Sequence, residues 1–210
     1  MPLEKITHYQ GYTIGLWQLN EAVEALFEQV VLTPADRELF QTLTHDRRKR
    51  EFLATRKLLS ALAGPEASIG YNKLRQPVLN GLNRYISISH SASMAAVLIS
   101  DHPMGIDTEE LSRDVEKIAK RFLSDSEQHW TSQTGNIGVS RIICWSAKEA
   151  IFKLMAQPEV TFSRQILIEP FGIAKNGSIK ASFLQEDEFI PLTLLYEHNL
   201  DNCVVWCKRE

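Results

Sequence analysis

Cysteine is scarce in this sequence. Cys144, Cys203 and Cys207 are odd in number and form no Cys-x-x-Cys pair, so neither a disulfide framework nor a zinc knuckle can be built from them. Cys203 and Cys207 lie close to His198, but they fall in an alternating strand pattern and read as packed thiols rather than metal ligands. Basic charge is lacking too. A formal net charge of -3 argues against a general nucleic-acid binder, which needs a surface that neutralises many phosphates, and leaves room only for a local basic patch. Long apolar runs are also missing: the first 19 residues are interrupted by Glu4, Lys5 and His8, and no later stretch reaches the ~18 apolar residues of a membrane span. The expectation is a cytoplasmic protein with no nucleic-acid and no membrane partner. There is no Pro/Gly/Ser-rich linker and no residue-level repeat, so any division into parts must come from the order of elements.

What is present is enough for a core. With 210 residues, 44% of them apolar, the chain can bury roughly 70% of its unfolded surface. Thr33-Pro34-Ala35-Asp36 is a helix start, with Thr33 as N-cap and Pro34 at the first helical position. From Asp46 a basic segment places Phe52, Leu53, Arg56 and Leu59 at helical spacing and stops near Gly64-Pro65. Residues 85–89 alternate with period two, residues 94–99 form a continuous apolar run, and Asp101-His102-Pro103 turns the chain, predicting a hairpin that delivers Asp107. Residues 115–121, 125–131 and 140–156 then read as helices, and 166–169, 179–184, 192–196 and 204–208 as strands. Helices followed by strands, twice over, predict an α+β pseudo-dimer of two similar halves, 1–102 and 103–210, each a small, mainly antiparallel sheet packed with helices. Such halves offer a cleft for a ligand, and a monomer is the simplest expectation for a chain that already contains both.

The chemistry is concentrated in three acids. On a strand Asp107 and Glu109 point to one face, while Thr108 and Glu110 point to the other, so two carboxylates can share a cation. Taken alone, Asp-x-Glu at a strand end is also what a solvated turn looks like. Glu149 adds a third acid from a helix, with Lys153 one turn further on the same face and Lys148 rotated by roughly 100°. An exposed Glu-to-Lys pair would be unremarkable, but Trp145, Ala150, Ile151, Phe152, Leu154 and Met155 make this helix apolar on nearly every side. Charges there are costly without a partner ion. Mg2+ takes oxygen ligands, usually one or two carboxylates completed by water and substrate phosphate, so acids flanked by lysines point to phosphoryl chemistry.

Other segments carry weaker signals. Ser87-Ile88-Ser89-His90-Ser91 ends a strand and can cradle phosphate oxygens; strand neighbours face opposite ways, which argues against a Ser-His nucleophile pair. His90 also fits a satisfied structural histidine. The basic helix offers Arg47, Arg48, Arg50 and Arg56 for a further phosphate, though a charge run also makes a solvated face. Ser124-Asp125-Ser126-Glu127 has capping-box spacing, which accounts for Glu127 without catalysis.

Together these segments resemble the 4'-phosphopantetheinyl transferase superfamily, in particular the larger bacterial type that activates peptide and polyketide synthetases. The matching pieces are Arg50-Glu51-Phe52-Leu53-Ala54-Thr55-Arg56, Ser87-Ile88-Ser89-His90-Ser91, Gly105-Ile106-Asp107-Thr108-Glu109, Arg121-Phe122-Leu123-Ser124-Asp125-Ser126-Glu127 and Trp145-Ser146-Ala147-Lys148-Glu149-Ala150-Ile151-Phe152-Lys153. The resemblance implies transfer of phosphopantetheine from coenzyme A to a serine of an apo acyl or peptidyl carrier protein. It implies that Asp107, Glu109 and Glu149 hold Mg2+ and that Lys153 offsets charge on the phosphates. Glu149, or a metal-bound water, would take the serine proton. It further implies that Ser89 and His90 contact coenzyme A phosphates, that Arg56 meets the nucleotide 3'-phosphate, and that Arg48 and Lys148 belong to the substrate site. An acid at Glu127 also fits the family, so both readings of that residue stand. Residues 111–130 are the expected docking surface for the carrier, although Phe122 and Trp130 suit a core equally well.

Two departures stand out. The family's Gly-Lys-Pro becomes Arg75-Gln76-Pro77, which keeps a cation at Arg75 but displaces it by one residue, and Thr108 replaces an aliphatic residue. Two rivals remain: another metal-dependent reaction on a nucleotide or pyrophosphate, and a coenzyme A or carrier-protein binding module without turnover.

Overall fold

The computed structural model describes residues 3–209. The chain opens on a hairpin, β1 (Leu3–Tyr9) and β2 (Tyr12–Gln18), whose turn passes through Gly11 at φ +82, a left-handed conformation that glycine adopts without steric cost. Then come α1 (Val23–Glu28), α2 (Pro34–Gln41), the long α3 (Asp46–Ala63), and strands β3 (Ser68–Tyr71), β4 (Pro77–Asn80), β5 (Tyr85–His90) and β6 (Met94–Ser100). After β7 (Met104–Glu110) follow a 3-10 turn (Glu116–Ile118), α4 (Ala119–Phe122), α5 (Asp125–Ser132), the long α6 (Ile137–Met155) and α7 (Phe162–Gln165). Strands β8 (Ile166–Ile168), β9 (Asn176–Gln185), β10 (Glu188–His198) and β11 (Asn202–Arg209) complete the chain. Among the described residues no helix is long and apolar enough to cross a membrane.

The chain divides into two compact units, the first ending at His102 and the second beginning at Pro103. In the first, a four-stranded sheet of order β1-β2-β6-β5 packs Ala95, Val97, Ile99 and Trp17 against Leu53, Ala54, Leu58 and Leu59 of α3. In the second, a five-stranded sheet of order β7-β11-β10-β9-β8 packs against Ile143, Ala147, Ala150 and Ile151 of α6. All the pairings are antiparallel, so the molecule is α+β.

The two units share a plan. In each, the strand that precedes the helices pairs with the unit's last strand, which in turn pairs with the strand before it: β2-β6-β5 in one, β7-β11-β10 in the other. Each sheet carries one long helix, of 18 residues in α3 and 19 in α6. Two of the sequence-based expectations need correction. Each unit begins with a strand, not with its helices. Residues 94–107 form no hairpin, because both edges of β6 are occupied by β2 and β5; β7 pairs instead with β11, from Lys208 opposite Met104 to Asn202 opposite Glu110.

Gly105 decides how α6 meets this sheet. A Cβ on Gly105 would lie 1.9 Å from the carbonyl oxygen of Ala150, so helix backbone rests directly on strand backbone. That approach brings Lys153 to Ile106 and Ser146 to Asp107.

Candidate active site

With Gly105 facing α6, the period-two alternation of β7 turns Asp107 and Glu109 toward the same helix, while Thr108 points away and donates to the carbonyl of Cys203 at 3.0 Å. Asp107 is 4% exposed and fully engaged: Ser146 Oγ donates to Oδ2 at 2.7 Å and Lys153 Nζ to Oδ1 at 2.8 Å. Lys153 also donates to the carbonyl oxygen of Ile106 at 3.0 Å, which pins its ammonium beside the acid. Glu109 accepts from Trp145 Nε1 at 2.8 Å and from the Arg113 guanidinium, which lies 5.2 Å from the centre of the Trp145 ring. Helical spacing puts Trp145, Glu149 and Lys153 on one side of α6.

Glu149 is the least neutralised of the three acids. Burial is the main cause that lifts its carboxyl to about 7; the charges of Asp107 and Glu109 add to the rise, and Lys153 and Arg113 oppose it. Glu109 is also raised, chiefly by burial, against the bonds from Arg113 and Trp145. Three carboxylates thus face two cations. Among the described residues no three His, Cys, Asp or Glu side chains close into a metal cage by themselves. Mg2+ does not need one, since one or two carboxylates with water and phosphate complete its octahedron. Hard oxygen donors with an uncompensated negative charge fit such an ion.

The expected phosphate contacts lie in the first unit, and the structure separates them. A cavity of about 210 Å3 is lined by Arg48, Glu51, Phe52, Arg56, Tyr71 and His90 among others. Arg56 is 7% exposed; its Nε and Nη2 both donate to Asp36 Oδ1, at 3.0 and 2.8 Å, and its guanidinium stacks 3.6 Å from the centre of the Phe52 ring. These bonds make it a brace between α2 and α3. Ser89 is buried at 7% exposure and does not line the cavity. Nor does Arg75, which sits exposed at φ +60 in a turn where Asn72 Oδ1 accepts from the backbone N–H groups of Leu74 and Gln76. Asn72 Nδ2 also donates to Gln76 Oε1 at 2.8 Å, so Gln76 closes its own turn.

The model of the 4'-phosphopantetheinyl transferase superfamily matches residues 103–205. That segment belongs to the superfamily. A curated relative, 4'-phosphopantetheinyl transferase gsp of Aneurinibacillus migulanus, is 30% identical over 154 residues, which are 71% of this chain and 62% of the relative. The chain therefore spans less than two thirds of that relative's length. The segment matched by the superfamily contains Asp107, Glu109, Arg113, Trp145, Glu149 and Lys153, and leaves the first unit's cavity outside it.

Within the superfamily segment, Lys148 departs from its expected place at the substrate. It is 0% exposed, and its ammonium donates to Glu127 Oε2 at 2.7 Å and to the carbonyls of Phe162 and Ile166 at 3.1 and 2.6 Å. All three protons are spent inside the protein. Glu127 closes the capping box of α5 with Ser124 and accepts from Ile168 N at 2.7 Å, so one buried carboxylate ties α5, α6 and β8 together. Burial lowers the pKa of Lys148, opposed by Glu127. Lys148→Met strands that carboxylate, and we expect a loss of about 3–5 kcal/mol, seen as a fall of roughly 10 °C in Tm. A Tm within 2–3 °C of the parent would contradict this assignment.

In the expected docking segment, Phe122 is 1% exposed and belongs to the core, and Trp130 packs against that core. A second cavity of about 310 Å3 opens beside Glu149, lined by Ile118, Arg121, Phe122, Trp145 and Phe162 among others. Sequence reasoning overlooked Arg113, Ser146, Asp36 and Glu51 as polar partners. Only Arg113, four residues after Glu109, and Glu51, four and three residues after Arg47 and Arg48, carried a local signal.

Proposed function

We propose that this protein transfers 4'-phosphopantetheine from coenzyme A to a serine hydroxyl of an apo acyl or peptidyl carrier protein, releasing adenosine 3',5'-bisphosphate. The observation that carries this reading is the acid cluster, in which Glu149, its carboxyl lifted to about 7 chiefly by burial, joins Asp107 and Glu109 beside the pinned ammonium of Lys153. Asp107, Glu109 and Glu149 are the residues that would hold Mg2+. When bound there, the cation would supply positive charge to offset that of the coenzyme A pyrophosphate. Ser146 and Lys153 fix Asp107, and Trp145 and Arg113 fix Glu109, so the ligand oxygens are oriented before substrate arrives.

The serine oxygen bonds to the phosphorus on the pantetheine side as the bridging P–O bond to the nucleotide phosphate breaks. Glu149 receives the serine proton; burial, with the charges of Asp107 and Glu109, raises its carboxyl in the metal-free site above the range of a solvated glutamate. Lys153, held beside Asp107, would offset negative charge as it grows on the leaving phosphate. In the first unit, Arg48, Arg56 and His90 supply the donors of a cavity for the 3'-phosphate. The reaction takes place in the cytoplasm, with the protein acting as a monomer.

A second reading has one observation in its favour. Gln76 stands where the resemblance calls for lysine and is committed to Asn72, as a coenzyme A or carrier-binding module without turnover would allow. Intact-mass analysis of apo carrier proteins incubated with this protein, coenzyme A and Mg2+ decides between the two. Transfer predicts carriers heavier by one phosphopantetheine, with no gain in EDTA. Coenzyme A binding with no mass gain on any carrier would give the second reading the field.

A further inference from the structure

Glu51 has no part in the chemistry above, yet it is the most connected charge in the first unit's cavity. Its side chain is 3% exposed on α3; Oε1 accepts from Arg47 Nε at 2.8 Å, and Oε2 accepts from Arg48 Nη1 at 2.9 Å. From β5, His90 Nδ1 lies 3.6 Å from the same Oε2. A buried acid in a cavity meant for phosphate is at first sight a mistake, because it repels the ligand.

Two effects oppose each other here. Repulsion is weakened because Glu51 is bonded to two guanidiniums, and because Arg47, Arg48 and Arg56 outnumber Glu51 and Asp36. Preorganisation is strengthened, because the Arg47 and Arg48 side chains are 57% and 61% exposed and long enough to swing into solvent unless something holds them. At 3.6 Å Glu51 meets His90 as an ion-pair partner of the protonated ring rather than as a hydrogen-bond acceptor, an attraction that draws the charged imidazole toward Arg48.

We infer that Glu51 is the positioning residue of this cavity: it holds Arg48 from the helix and His90 from the strand so that both address one phosphomonoester of the substrate. The inference rests on the proposed reading that coenzyme A places its 3'-phosphate here. It assigns specificity for that phosphate to an acid that does not itself touch the ligand.

The test measures calorimetric Kd values for coenzyme A and for 3'-dephospho-coenzyme A with the parent, Glu51→Gln and Glu51→Asp, together with kcat, KM and Tm. Glu51→Gln is expected to weaken coenzyme A about tenfold, the scale of one charge-assisted bond lost, and to leave the dephospho ligand unchanged. KM rises with kcat unchanged, and Glu51→Asp recovers part of the loss. Tighter coenzyme A binding by Glu51→Gln would show that repulsion wins and overturn the inference, as would unchanged binding. Equal weakening of both ligands would reduce Glu51 to a fold-stabilising residue and overturn it too. If the parent itself binds the two ligands equally, it is the assignment of the 3'-phosphate to this cavity that fails, and Glu51 has nothing to position.

Discussion

Glu149→Gln is expected to cut phosphopantetheine transfer by at least about a thousandfold and, in metal-free buffer at pH 8, to melt higher than the parent. Both effects come from one carboxyl. Glutamine keeps the shape and loses the charge, so the proposed proton acceptor is gone and one of the three acids that would hold the cation is weakened. The stability effect follows from linkage. Burial, with Asp107 and Glu109, lifts the folded-state pKa of Glu149 from 4.5 to about 7. A carboxyl raised on folding binds its proton more tightly when folded, so between pH 4.5 and 7 the folded state carries more protons than the unfolded one, and stability falls as pH rises. Above pH 7 the whole cost is present, up to about 3 kcal/mol and nearer 2 after allowing for partial exposure. The parent should therefore lose roughly 4–8 °C in Tm between pH 5 and 8 through this group, and Glu149→Gln should lose much less. Mg2+ added at pH 8 should restore the parent and leave the variant nearly unmoved. Parallel pH profiles for the two proteins would sink this account of Glu149, and transfer within tenfold of the parent would sink its catalytic role.

Gly105→Ala should be more damaging than its single methyl suggests. The added Cβ would stand 1.9 Å from Ala150 O and 2.9 Å from Leu154 N, backbone atoms that no rotamer change can move aside. Helix α6 would have to lift away from β7. We expect a cost above about 4 kcal/mol, a Tm at least 10 °C lower and little activity in the protein that remains folded, because the lift parts Lys153 and Ser146 from Asp107. A variant that melts within 2 °C of the parent would show that helix and strand are not held backbone to backbone here.

What was legible in the sequence was local. The shared face of Asp107 and Glu109 follows from period-two alternation, the turn of Glu149 toward Lys153 from helical spacing, and the capping box at Ser124 and Glu127 from three-residue spacing; all rest on neighbours within one element. The β1–β2 hairpin was missed because Glu4, Lys5 and His8 break the apolar alternation that marks a strand. Pairing was misjudged between residues 94 and 107 because no local pattern reveals that both edges of β6 are taken. Arg56 and Lys148 match the motifs by position, but their partners Asp36 and Glu127 lie 20 and 21 residues away. Burial at that range is settled by packing, which leaves no spacing rule to read.

The pairing of β7 with β11 has a consequence for the order in which the site is made. Asp107 and Glu109 are synthesised near the midpoint of the chain, yet the strand that carries them has no ladder partner until residues 202–208 exist. The first unit can close its own sheet as soon as β6 leaves the ribosome, whereas β7 must wait for almost another hundred residues, a long loop closure that costs entropy and time. The acid cluster therefore cannot be completed before β11 has been made. Until then its three mutually repelling carboxylates remain in water, where their charges cost least.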